Sequence, residues 1–525
     1  MKISRRSFIE SSIGSWLIIS SCGSALGNMT RGPVRKYNVS VSIEALEREP
    51  DLIKVFIDAG VSEVWLGGFL YGHWYFTPES LAKWKNLIEK EGIEVGVINV
   101  PLGHPGDSLG SYSGEVPLTP PKHWSTALDH TGRNFAGTSL HSPACDENKD
   151  AIKKLKGVGV NRIFLDDDFR LAQAPGQIGG CYCEAHKRKF LTEYAYSDKD
   201  WGELIDSVSH RKFTKLLRDW IDFNCDLLSS CFVGLENSTA GIELGIMVMY
   251  MGSEKAGIRL DGYKNRMFRV GEGMFDDASF GSVKGKCNEL FSVLFHRRFV
   301  SPENAYSETT AFPADKLSAK NMGAKLVVST IADVRNTMFM SGLQHFPKTH
   351  WEVLPTYMKK QVEFHQKIAG SKLCGPLKLY WGERSRYISD DNPFSLFLAI
   401  GVPFEVVDKP KPEGWTFISD YDLEEIKKDY LSRCVARREY KGAVFIPESL
   451  DALFKFKQKI VGSLEDIPHI AENKPVVCAW YPERRKVLIW NLSENFERFT
   501  LQRGEKSSSV ELSGLDSILL DDMTD

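Results

Sequence analysis

The 525-residue chain lacks an excess of either charge. Lys and Arg number 66, Asp and Glu 69, for a formal net charge of -3. There is no global basic field to carry phosphate-driven binding, so nucleic acid is not an expected partner. It also lacks a second long apolar run. The one near the N-terminus, Ile13 to Ile19, is too short to span a bilayer as a stable helix. No internal repeat or low-complexity block follows the leader, which excludes solenoids and fibres. No Gly-rich phosphate loop follows the first strand, which counts against a dinucleotide-binding sheet. With 42% hydrophobic and 26% charged residues, the composition is that of a globular chain. The length implies two to four domains, or one large barrel with appendages. Aromatics at 11%, twelve of them Trp, fit either a core of good size or a cleft that stacks on carbohydrate.

The first 36 residues read as an address. Ser4-Arg5-Arg6-Ser7-Phe8-Ile9-Glu10 is a twin-arginine signal, and Ile19-Ser20-Ser21-Cys22 is like a bacterial lipobox. Residues 1–21 are thus expected to be a signal peptide. Cys22 would be lipidated to tether the protein to a membrane, and 22–36 would be a small, polar tether. An ordinary cleaved signal with an incidental Cys is the alternative. The expected location is the periplasm, outer membrane or cell surface of a bacterium.

Beyond the leader, strands and helices alternate. Tyr37–Ser42, Val61–Leu66 (closed by Gly67-Gly68), Ile93–Val100, Arg162–Leu165, Leu244–Met251, Phe268–Val270, Asn304–Ser307 and Thr337–Met340 read as strands. Helices are expected from about Pro50 to Ala59, Pro78 to Glu91 and Ala151 to Lys156. The pattern predicts a (β/α)8 TIM barrel over 37–372, with a doubly wound sheet as the alternative. Near Gly370 the texture changes. Apolar segments Leu377–Trp381, Phe394–Ile400, Phe404–Val407 and Thr416–Ser419 suggest a small Rossmann-like α/β domain over 373–470. Short strands with polar turns over 471–525 suggest a small C-terminal β-sandwich.

In a parallel barrel, chemistry sits at the C-terminal ends of strands. Asp166-Asp167-Asp168 follows one strand, and three adjacent carboxylates raise one another's pKa, a way to hold one acid protonated. An Asp-rich loop stabilised by Arg162 or Arg170 is the structural alternative. Glu308, at a late strand end, suits a nucleophile, or else caps a helix. Glu272, between Gly271 and Gly273, could bind sugar hydroxyls or cap a turn. Two carboxyls across a cleft suit glycoside hydrolysis. Trp65, Tyr71, His73, Trp74 and Tyr75 cluster after the second strand, as a sugar platform or as a packed loop. The loop from Pro101 to Pro121 could rim the cleft. Cys181-x-Cys183-x-x-His186, with Cys145 upstream, has structural zinc spacing; a Cys145 disulfide and plain free thiols stay open.

Asp166-Asp167-Asp168-Phe169 followed by Cys-x-Cys-x-x-His resembles the glycoside hydrolase family 42 β-galactosidases. Their pattern is Asp-Asn-Glu-aromatic after the fourth strand, then Cys-x-Cys-x-x-Cys for zinc, with another zinc Cys upstream. Their domain order is also similar: barrel, trimerisation domain, small β domain. The resemblance implies Asp168 as general acid/base, Asp167 at the position of the preceding Asn, and Glu308 as nucleophile. It implies Cys145, Cys181, Cys183 and His186 as ligands of a structural zinc, no cofactor for catalysis, and a homo-oligomer. Asp replaces Glu, Asp replaces Asn and His replaces Cys, which marks a divergent relative. The expectation is an exported glycoside hydrolase acting on a carbohydrate, with Asp166, Asp167, Arg170, Glu272, Trp65 and Trp74 positioning substrate. A non-catalytic carbohydrate-binding lipoprotein on a hydrolase-like barrel is the alternative.

Overall fold

The computed structural model describes residues 35–102, 120–166, 169–172, 174–342, 344–464 and 466–523. The leader, most of the loop from Pro101 to Pro121, and Asp167 and Asp168 lie outside the described residues.

Eight parallel strands close into a barrel. They are β1 (Lys36–Val41), β2 (Glu63–Leu70), β3 (Glu94–Val100), β4 (Arg162–Leu165), β5 (Glu243–Met247), β6 (Met267–Val270), β7 (Ala305–Thr310) and β8 (Asn336–Met340). Each pairs with the next, and β1 pairs with both β2 and β8, setting Val39 opposite Val64 on one side and Phe339 on the other. Closure rules out the doubly wound alternative. The strands read as near-continuous apolar runs because helices cover the outside while side chains fill the inside. The filling is a layer of Trp65, Ile98, Phe164, Met267, Tyr306 and Met338.

Three barrel strands end more than one residue from expectation. β7 runs on to Thr310, so Glu308 stands inside the strand and does not cap a helix. β2 runs through Gly67-Gly68 to Leu70 instead of stopping there, with a register shift against β3. A Cβ at Gly68 would stand 2.4 Å from Val97 Cγ1 and 2.5 Å from Asn99 Oδ1, so Gly68 marks a close strand approach, not a turn. β5 ends at Met247, because the chain then turns through Tyr250 at φ 41°.

Helices Leu52–Ala59, Pro78–Lys90, Ala144–Gly157, Lys215–Glu236, Val283–His296, Ala319–Ile331 and Lys348–Ile368 surround the barrel. The first ends on Gly60 in the left-handed region. Thr77 caps the second through the Ser80 amide. Helix Ala319–Ile331 is buried on every face from Asn321 onward.

A separate parallel sheet follows, with strands β9 (Leu377–Leu379), β10 (Phe404–Val406), β11 (Trp415–Phe417), β12 (Cys434–Ala436) and β13 (Val444–Phe445) in the order β10-β9-β11-β12-β13. The apolar segment from Phe394 to Ile400 forms no strand. It makes a 3-10 turn, Leu396–Ala399, that stacks Phe397 on Phe417 with ring centroids 4.0 Å apart. The chain ends in two three-stranded antiparallel sheets. One joins β14 (His469–Ile470), β17 (Glu497–Arg503) and β18 (Lys506–Leu512). The other joins β15 (Val476–Tyr481), β16 (Lys486–Asn491) and β19 (Ser517–Asp521). Both contribute to one small core, including Ile470, Ile489, Phe499 and Val510. The outer side of the second sheet joins the main core through Leu488 and Trp490. Among the described residues, no helix is long and apolar enough to cross a membrane.

Candidate active site and metal cluster

A charged residue in a buried strand must find a partner. Arg269, on β6, is fully buried and reaches two acids from different strands. Its Nη1 donates to Asp166 Oδ1 at 2.5 Å, and its Nη2 stands 3.1 Å from Glu308 Oε1. Asp166 is the first residue past β4, fixed by its own amide donating to the Asn99 carbonyl at 2.7 Å. Glu308 lies in the second half of β7, opposite Met338 of β8. Asp166 and Glu308, buried but for 7% and 5% of their surfaces, thus converge on one guanidinium at the C-terminal end of the barrel. The planar fork of Arg suits such two-acid contact. Asp167 and Asp168, next in the chain after Asp166, lie outside the described residues, so Asp168 has no position to set against Glu308.

The other expected residues separate into distinct surroundings. Arg170 is buried between the segments after β4 and β5, with Nε donating to the Ala172 carbonyl at 2.8 Å and Nη1 3.2 Å from Met249 Sδ. Glu272 is only 1% exposed. Its Oε2 lies 3.2 Å from Lys325 Nζ, and that ammonium also reaches Glu289 Oε1 at 2.9 Å and donates to the Met274 carbonyl at 2.9 Å. Burial pushes the Glu272 carboxyl well above its ordinary value. Lys325 opposes this, and the Glu289 and Glu308 charges add to it. Glu272 therefore sits in a closed ion cluster under helix Ala319–Ile331.

Trp65 is placed differently from expectation. It is fully buried, its ring 4.7 Å from Phe164 and 6.3 Å from Tyr306. It helps to floor a narrow cavity, about 30 Å³, lined also by Val41, Val100, Asp166 and Met340. It is barrel filling, not an open stacking platform, because its strand position points it inward. Trp74 is half-buried on a short strand that folds back on β2 and packs on Phe69 at 5.2 Å.

The metal-type cluster forms with one change of member. His141, Cys181, Cys183 and His186 bring their donor atoms within 4.8 Å of one another. Cys145 does not join them; its Sγ lies 3.4 Å from that of Cys231. His141 Nε2 stands 3.2 Å from Cys183 Sγ, and His186 Nδ1 3.4 Å from the same sulfur. His141 and His186 stack with centroids 4.5 Å apart. Burial holds His186 neutral down to about pH 4, with the His141 charge adding to the effect. It also pushes the Cys181 thiol up to about 11. A neutral imidazole is the ligating form, and crowded buried thiols gain from a cation, so two sulfur and two nitrogen donors fit zinc.

Sequence reasoning missed two residues here. His141 precedes Cys145 by only four positions, but nothing in the spacing favours one over the other. Arg269 carried a signal that was not read: a lone cation within the apolar strand Met267–Val270.

No protein-family model matches the chain, and no curated protein matches it in sequence. Solved structures do match in shape. A β-galactosidase from the psychrophilic Marinomonas ef1 superposes with a TM-score of 0.56 at 10% identity, covering 93% of this chain and 100% of its own. A β-galactosidase from Bacillus circulans sp. alkalophilus gives 0.56 and 10%, covering 93% and 98%. The shared fold is the closed parallel barrel with its helices. At this identity the likeness concerns fold alone.

Proposed function

We propose that this protein is a glycoside hydrolase, retaining and β-galactosidase-like, in which Glu308 is the nucleophile and Asp168 the general acid/base. The observation that carries the reading is the shared guanidinium of Arg269. It gathers Glu308 from β7 and Asp166 from the end of β4, directly before Asp167 and Asp168. Acids from two different barrel strands, meeting at the C-terminal face, are what a sugar's oxocarbenium-like transition state requires.

In the proposed reaction the Glu308 carboxylate attacks the anomeric carbon while Asp168 protonates the departing glycosidic oxygen. A glycosyl ester on Glu308 forms and the alcohol leaves. Asp168, now ionised, takes a proton from water, which attacks the same carbon and frees Glu308. Arg269 orients Glu308 and Asp166, and Asp167, Arg170 and Trp74 are assigned to substrate positioning. Glu272 would support the site from behind through its neighbours.

The proposal extends to export through the twin-arginine leader, tethering through a lipidated Cys22 and a homo-oligomer. It includes a structural zinc held by His141, Cys181, Cys183 and His186. Four protein donors close that site to substrate, so the metal's part would be to brace the segment that follows the acids. The test is turnover of aryl glycosides and of plant or host glycans, with the product anomer read by NMR. Retention, with Glu308→Gln and Asp168→Asn each inactive but folded, is expected. No turnover on any of them would favour the carbohydrate-binding alternative, and inversion would remove the nucleophile role.

A further inference from the structure

Cys145 and Cys231 stand apart from the Cys/His quartet and meet each other. Cys145 is the second residue of helix Ala144–Gly157, and Cys231 lies in the last third of helix Lys215–Glu236, which packs beside it. Their sulfurs are 3.4 Å apart, and each residue is partly exposed. A helix N-terminus favours a thiolate, and Lys149 follows Cys145 by one turn. We propose that Cys145 and Cys231 are a redox site that forms a disulfide on meeting a low-molecular-weight disulfide.

The step balances as thiol–disulfide exchange. The Cys145 thiolate attacks one sulfur of the oxidant RS–SR, forming a mixed disulfide and expelling RS⁻. Cys231 then loses its proton, attacks the Cys145 sulfur and expels the second RS⁻. Two electrons pass from the protein to the oxidant, which leaves as two RSH. The sulfurs need to close from 3.4 Å to about 2.05 Å. The direction of the thiol pKa values agrees. The hydrogen bond from Cys231, opposed by burial and helped by Lys149, lowers Cys145, while that contact and burial raise Cys231.

The placement gives the bond a purpose. Residues 145 and 231 are 86 apart in sequence, and the loop they would close contains β4, Asp166 and three of the four quartet members. Cross-links that close long loops constrain the unfolded chain most. A chain exported as proposed above would meet such disulfides after export, once already folded. The bond would then lock the segment carrying the acids without touching the quartet.

The experiment uses the purified full chain, equilibrated with oxidised glutathione or with a reductant, alkylated and mapped by peptide mass. The expected result is a linked pair of peptides holding Cys145 and Cys231, 2 Da lighter than the two thiol peptides together and separated by reductant. The oxidised protein should melt roughly 2–5 °C higher. In Cys231→Ser, which has no resolving thiol, Cys145 should instead retain a glutathione adduct. Recovery of both peptides alkylated after oxidation would overturn the proposal. So would linkage of Cys145 to Cys181 or Cys183. Neither readout involves substrate, so failure here leaves the hydrolase reading untouched, and the reverse.

Discussion

Replacing Arg269 by Met tests the organisation of the barrel mouth. The substitution keeps the apolar stem and removes the guanidinium that meets Asp166 at 2.5 Å and Glu308 at 3.1 Å. Both acids are more than nine-tenths buried, so their charges remain in poor solvent. Removing one partner from a buried ion pair costs about 3–5 kcal/mol, mainly because the other charge is stranded. At about 2.1 cal/mol/K per residue, a chain of this length has an unfolding entropy of about 1 kcal/mol/K, so the melting temperature should fall about 3–5 °C. The assay is thermal and urea unfolding at pH 7 of Arg269→Met, Glu308→Gln and the double variant. If the guanidinium stabilises by compensating Glu308, the double variant should recover about 1–3 kcal/mol relative to additivity. A loss within about 0.5 kcal/mol, typical of surface changes, would refute the reasoning, as would strict additivity.

Lys325→Met should destabilise by about 3–5 kcal/mol, since Glu272 and Glu289 would share a closed space without their cation; chemical unfolding measures it. Glu272→Gln should act in the opposite direction. With its pKa raised in the folded state, Glu272 supports the fold below its unfolded value of about 4.3 and loses that support as pH rises through the folded value. The advantage of Gln over Glu should therefore grow with pH above about 4.3, and a flat difference in unfolding free energy across pH would contradict this. For the metal, His141→Ala should lower bound zinc, measured by elemental analysis after dialysis, while Cys145→Ser should leave it unchanged; the reverse pattern would restore Cys145 as a ligand. Gly68→Ala should cost about 1–3 kcal/mol by overpacking against Val97 and Asn99, visible as a lower urea midpoint.

Local strand signals carried most of the barrel. Arg162–Leu165 has the expected bounds, and each of the eight barrel strands coincides with an apolar run in the sequence. Signals that depend on distant partners carried less. Gly67-Gly68 looked like a stop because a turn and a close strand approach both call for glycine, and only the neighbouring Asn99 decides between them. Helix Ala319–Ile331 had no amphipathic stripe to find, because helices Val283–His296 and Lys348–Ile368 pack on it and Tyr481 reaches its last residue from the C-terminal sheets. The quartet was legible as a type of site but not in its membership. Choosing His141 over Cys145 depends on which of the two faces helix Lys215–Glu236, and spacing holds no record of that. The acids at strand ends were visible as chemistry, but Trp65 and Glu272 turned inward by strand and loop geometry.

The C-terminal sheets are tied to the last two barrel helices. Tyr481 Oη donates to the Ile331 carbonyl at 3.0 Å, Lys360 pairs with Asp516 at 2.6 Å, and Gln361 reaches Ser517 at 3.2 Å. Beneath these contacts Val477, Leu488 and Trp490 join the main core. A chain cut before Val476 should therefore lose part of the barrel's own packing and melt below the full chain, instead of yielding an independent barrel.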